Sequence, residues 1–160
     1  MRLATAEINL TALAHNLSQV KRFAPNSKIM AVLKANAYGH GLVKIAQHLN
    51  SADAFAVARI DEALALRAGG LTKPIVLLEG FFNKADLPIL LANNFQTIVH
   101  DENQLAAIEN ATLDAPITCW LKINTGMHRL GIAPEQFDAF YSRLQRTPNA
   151  KSTINLMTHF

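Results

Sequence analysis

The sequence predicts an α/β chain that forms part of a (β/α)8 barrel of the TIM type. About six of the eight parallel strands are present, preceded by a short N-terminal strand and helix. Three observations carry this reading. Short apolar, β-rich runs alternate with helical patterns along most of the chain, as parallel strands with right-handed crossovers require. The units recur about every 20–25 residues, the tight spacing of a barrel. Neither GxGxxG at the first strand–helix turn nor GxxxxGKS/T anywhere is present, which weighs against the common nucleotide-binding α/β folds.

The elements follow in order. A short strand is expected around 6–10, then a helix over 11–23 carrying Leu13, Leu17, Val20 and Phe23 on one face. The first barrel strand is read at 28–34 (KIMAVLK), and the next helix in GLVKIAQHLN, where Leu42, Ile45, Ala46 and Leu49 share a face. A strand at 54–58 leads into IDEALALRAGG, with Asp61 as N-cap and Gly69 and Gly70 closing the helix. After the strand at 75–79, Pro88 in KADLPILLANN allows only a short or kinked helix. The strand at 96–100 precedes DENQLAAIEN, whose Asp101 starts a helix burying Leu105 and Ile108. A strand at 117–124 is followed by a helix opening at Pro134 and carrying Phe137, Tyr141 and Leu144. The last strand is read at 153–159. A full eight-unit barrel needs roughly 250 residues. Residues 1–160 are therefore expected to be one incomplete N-terminal barrel domain of a longer protein, with no internal repeat or linker.

Composition narrows the function classes. Half of the residues are hydrophobic and 17% charged, enough for one sizeable core. A net charge of +3 with scattered basic residues gives no nucleic-acid patch. The lone Cys119 excludes an internal disulfide and fits a reducing compartment. No signal-peptide core or membrane-length apolar run is present, so the expected location is the cytoplasm. His40, His100 and His128 lack metal-ligand spacing and Cys119 has no nearby partner, so no metal site is expected.

Alternation then sorts the polar side chains. Met30, Val32 and Lys34 share one strand face, as do Trp120, Lys122 and Asn124, and Asn155, Met157 and His159. The opposite faces are apolar and suit the helix-covered outside of a barrel. Lys34, Lys122, Asn124 and His159 are thus expected inside, near C-terminal strand ends, where barrel enzymes carry their chemistry. A single lysine at a strand end is ordinarily solvated, and a single histidine is more often structural. Two lysines converging inward are harder to dismiss, because a buried ammonium must be paired, neutralised or modified. A desolvated Lys34 would be a good amine nucleophile toward a carbonyl. Arg129 follows the fifth strand in a loop and Tyr38 follows the first, both positions that a surface role would also explain.

These residues carry a resemblance. The stretch AVLKANAYGHG, residues 31–41, is similar to the pyridoxal-phosphate attachment motif of the alanine racemase family. WLKINTGMHRLG at 120–131 resembles that family's second signature, and MTHF at 157–160 its third. AEINLTALAHNLSQVK, residues 6–21, resembles its N-terminal stretch.

The resemblance implies an isomerase that interconverts L- and D-alanine with pyridoxal 5'-phosphate and supplies D-alanine for peptidoglycan. It implies that Lys34 carries the cofactor covalently and acts as the base on one face of the substrate α-carbon. Tyr38 would hydrogen-bond the cofactor phosphate, and Arg129 the cofactor's phenolic oxygen, next to substrate. Lys122 matches a lysine that the family often carries as a carbamate positioning that arginine. His159 would link a catalytic tyrosine to a second arginine. That tyrosine belongs to a C-terminal β-domain and reaches the site from the partner of a homodimer, so these 160 residues alone are expected to be inactive or nearly so. Asn124 stands where many relatives have aspartate. Two other readings remain open: a non-catalytic pyridoxal-phosphate carrier of the same fold, which lacks the ANAYGHG loop, and a racemase for another amino acid.

Overall fold

A computed structural model describes residues 4–160. Six short apolar runs become strands: β1 (Met30–Val32), β2 (Ala54–Val57), β3 (Ile75–Leu77), β4 (Phe95–Val99), β5 (Thr118–Lys122) and β6 (Asn155–Met157). All neighbours pair parallel in the order β1-β2-β3-β4-β5-β6, so each strand lies beside the one before it in sequence. Helix α1 (Leu10–Phe23) precedes them, and between them run α2 (Lys34–Tyr38), α3 (Leu42–His48), α4 (Ile60–Ala68), α5 (Leu87–Ala92), α6 (Glu102–Glu109) and α7 (Phe137–Arg146). Short 3₁₀ turns at Lys84–Asp86 and Pro134–Gln136 lead into α5 and α7.

Two apolar layers follow from strand alternation. Phe55, Ile75, Leu77, Phe95 and Leu121 pack outward against Leu66, Leu90, Leu105, Ile108 and Leu144 of the helices, all essentially inaccessible. Each such side chain contributes about 1.5–3 kcal/mol of burial. The inner layer is smaller: Ala56, Val76 and Ile98, with Met30, Leu78, Trp120 and Met157 against them. In a flat sheet β1 and β6 would stand about 24 Å apart, five strand spacings. Residues following β1 and β6 nevertheless line one cleft, so the sheet is curled into part of a barrel.

Polar side chains fix the connections. Asp101 Oδ1 accepts the Gln104 N–H at 2.8 Å and caps α6 as expected. The buried Gln104 then accepts the His100 N–H and donates to the carbonyls of Glu79 and Phe81 at 3.0 and 3.1 Å, tying the exits of β3 and β4 together. Gly80 (φ +73°) has no room for a side chain, since an added Cβ would lie 2.5 Å from the Ile98 carbonyl. Asn149 donates to the carbonyls of Ile108, in the last turn of α6, and of Ala111 just beyond it, and Arg143 of α7 bridges Glu102 and Glu109 of α6.

Four expectations are corrected. No strand forms at 6–10; residues 4–9 are irregular and α1 starts at Leu10, because Asn9 Oδ1 accepts the Ala12 N–H at 2.9 Å. Asp61 does not cap α4. Arg59 occupies the N-cap position without a capping side-chain bond, and Glu62 accepts the Ala58 and Arg59 N–H groups. The first strand stops at Val32, short of Lys34, which opens α2. The last strand covers only Asn155–Met157, leaving His159 beyond it.

Candidate active site

Lys34 leaves β1 in an unusual backbone. Ala35, Asn36, Ala37 and Tyr38 all have φ between +53° and +56°, so α2 is a single left-handed helical turn built without glycine. Each such residue costs about 1–2 kcal/mol relative to a right-handed conformation. Strain of this kind persists only where the surroundings dictate it, and it concentrates at functional sites. Here Glu62 Oε1 accepts the Asn36 N–H at 3.1 Å, and Asn36 Oδ1 accepts the N–H of Leu42, the first residue of α3, at 2.9 Å. Ala37 is buried beneath the turn. Gly39 (φ +85°) and Gly41 (φ +97°) then carry the chain into α3. The turn puts both Lys34 and Tyr38 on the wall of one cleft.

The opposite wall comes from β5, its following loop and the segment after β6. Lys122, Arg129 and His159 line the same cleft, an open cavity of about 250 Å³ at the C-terminal rim of the sheet. The five side chains singled out in the sequence therefore converge. Asn124 does not join them, because its amide turns into its own loop and bonds His128 and Gly126.

One charged cleft residue went unnoticed in the sequence. Glu79 lines the cleft, although simple alternation puts it on the outer face with Leu77. The turn closed by the Gly80 N–H on the Leu77 carbonyl reorients it, and the glycine directly after Glu79 was the signal available in the sequence.

Electrostatically, Lys34, Lys122 and Arg129 outnumber the lone carboxylate of Glu79 among the described cleft residues. Lys122 is only 7% exposed, and no ion pair reaches it among those residues. Desolvation lowers its pKa, and the charges of Arg129 and Lys34 lower it further. A site of this kind offers an amine for an aldehyde, a phenol and a guanidinium for anionic oxygens, and a positive excess for a phosphate. The donor set fits pyridoxal phosphate. Cys119, buried and with its pKa pushed up to about 12 by desolvation, is a core residue without access to the cleft chemistry. The described residues contain no cluster of metal-binding side chains, and no helix there is long and apolar enough to cross a membrane.

Comparison with known proteins bears on this geometry. The family model of the alanine racemase N-terminal domain matches residues 8–160. The chain is 58% identical to alanine racemase of Edwardsiella ictaluri (strain 93-146) over 160 residues, all of this chain and 44% of that protein. It is 57% identical to the biosynthetic alanine racemase of Escherichia coli (strain K12), again over its whole length and 45% of the relative. The chain thus spans a little under half the length of the curated relatives it matches. Among solved structures, the biosynthetic alanine racemase of Pseudomonas aeruginosa superposes with a TM-score of 0.89 at 39% identity, covering 94% of this chain and 42% of that one. A histidine racemase from Leuconostoc mesenteroides superposes with a TM-score of 0.82 at 29% identity, covering 94% and 41%.

Proposed function

Because the chain belongs to the alanine racemase family and corresponds to its N-terminal domain, we propose that it forms the cofactor-bearing half of a pyridoxal-phosphate-dependent alanine racemase. The observation that carries the proposal is the convergence of Lys34, Tyr38, Lys122, Arg129 and His159 on one cleft. Identities of 57–58% to curated alanine racemases favour alanine as the substrate.

Lys34 would hold the cofactor through its amine, Tyr38 would hold the phosphate, and Arg129 would donate to the ring oxygen. When bound, pyridoxal phosphate withdraws electrons from the substrate and acidifies its α-C–H bond. The Lys34 amine would take or return the α-proton on one face. Lys122, desolvated and repelled by two cations, is better accommodated as a carbamate, whose negative charge would pair with Arg129. His159 sits on the cleft wall, placed to relay hydrogen bonds to groups on the far side.

A second acid–base group must face Lys34 across the α-carbon. In this reading it comes from a C-terminal β-domain of a partner subunit, so the working protein is a homodimer and these 160 residues alone racemise little or nothing. The product would be cytoplasmic D-alanine for peptidoglycan. The test is reconstitution with pyridoxal phosphate, borohydride reduction and peptide mass spectrometry. A cofactor adduct on Lys34, absent in Lys34→Ala, is expected; an adduct elsewhere, or none, refutes the assignment.

A further inference from the structure

Arg129 reaches the cleft from a loop, and the hydrogen bonds of that loop show what holds it there. Residues 124–131 leave β5 and return to it. At the base, the Asn124 N–H donates to the Ile132 carbonyl and the Ile132 N–H to the Lys122 carbonyl, both at 2.9 Å. Above the base, one side chain crosses the loop. Asn124 Oδ1 accepts the His128 N–H at 3.0 Å and the Gly126 N–H at 3.4 Å. With its oxygen engaged twice, the amide presents its nitrogen to His128 Nδ1, 3.0 Å away. An amide nitrogen only donates, so Nδ1 must offer a lone pair and the ring proton resides on Nε2.

The bonds enforce a backbone that would not otherwise persist. His128 has φ +55°, a left-handed conformation held by a non-glycine residue, and Arg129 is the next residue. Arg129 itself is exposed and has no hydrogen bond or ion pair among the described residues, so with Lys122 unmodified the loop alone aims it.

We propose that Asn124 is a positioning residue: its amide, acting through His128, holds the loop so that the Arg129 guanidinium stands in the cleft. The proposal deepens the function given above and relies on it only for the identity of the ligand. It also gives the asparagine a chemical reason. An aspartate here could accept from the two backbone N–H groups but could not donate to Nδ1, and would select a ring protonated at Nδ1 instead.

The test is a double-mutant cycle on the chain with pyridoxal phosphate as the probe. Asn124→Ala should weaken binding about tenfold, equivalent to ~1.4 kcal/mol. In an Arg129→Ala background the same substitution should change binding by less than about twofold, since its effect runs through Arg129. Equal losses in both backgrounds would overturn the proposal. A second readout needs no cofactor. Backbone order parameters at residues 126–130 should fall from about 0.85 to below about 0.6 in Asn124→Ala, with β5 unchanged; an equally rigid loop would overturn it too. Ring ¹⁵N shifts of His128 should report Nε2–H in the parent and Nδ1–H in Asn124→Asp, a variant that keeps both backbone bonds and so guards against a folding failure. A parent ring protonated at Nδ1 would count against the amide's role. If the parent chain takes up no pyridoxal phosphate, the functional reading fails, while the order parameters and tautomer still decide the loop.

Discussion

Replacing Ala35 by glycine should stabilise the protein, although alanine-to-glycine in a helix ordinarily does the reverse. Ala35 is exposed and lies in the left-handed turn at φ +53°, ψ +51°. Removing its Cβ relieves a steric penalty of about 1–2 kcal/mol. Against this stands the greater unfolded-state freedom of glycine, about 0.4–1 kcal/mol. No packing is lost, because the methyl group is exposed, and the Gly39 N–H bond to the Ala35 carbonyl at 3.0 Å is untouched. At the middle of these ranges the balance is a gain of about 0.8 kcal/mol, roughly a fourfold change in the folding equilibrium. Ala65, equally exposed but within the right-handed α4, supplies the internal control. Ala65→Gly should cost about 1 kcal/mol. Urea unfolding of the two variants and the parent, compared at constant m-value, reads both effects. Opposite signs are expected; a loss at Ala35 resembling that at Ala65 would mean the turn is not left-handed and strained in solution.

The desolvated lysine and the helix-bridging arginine each give a pH-dependent prediction. Lys122→Met in CO₂-free buffer should raise stability at neutral pH by about 1 kcal/mol, because a buried, repelled ammonium is replaced by an apolar chain of similar length. The folded-state pKa of Lys122 is lowered, so the unfolded chain binds more protons between the folded and unfolded values. Parent stability therefore rises with pH through that window and the mutant's advantage fades; an advantage that grew with pH would refute the cause. Arg143→Ala should cost about 1 kcal/mol at pH 7, since one guanidinium serves both Glu102 and Glu109. Arg143 holds the Glu109 carboxyl below its usual range, so the contribution is present above the unfolded carboxylate pKa and is lost as pH falls through the folded one. Thermal melts between pH 7 and pH 3 should show the two proteins converging.

Much of the architecture was legible in the sequence because parallel strands covered by helices leave a periodic apolar imprint. The runs containing Phe55, Ile75, Ile98 and Leu121 all became strands, and Asp101 opened α6 and Gly69 closed α4 where expected. The segment at 6–10 failed because one short side chain, Asn9, decided the matter locally in favour of a helix start. The conformation of Lys34–Tyr38 was not legible. An Ala-Asn-Ala-Tyr run has no left-handed preference of its own, and the turn depends on Glu62 and Leu42, which meet it only after folding. Lys34, Lys122 and His159 were found by counting strand faces, although Lys34 and His159 proved to lie just past their strands. Glu79 escaped the same counting because a glycine turn breaks the alternation.

The strand order has a consequence for how the protein is made. Each strand of the sheet pairs with the one synthesised just before it, so the sheet can grow one unit at a time as the chain emerges, with little need for distant segments to search for each other. Lys34 belongs to the first unit and His159 to the sixth, with Lys122 and Arg129 between them. During synthesis the amine therefore emerges long before its cationic neighbours arrive. The grouping of cations around Lys34 is thus acquired late, as a property of the finished curl and not of the motif that carries the lysine.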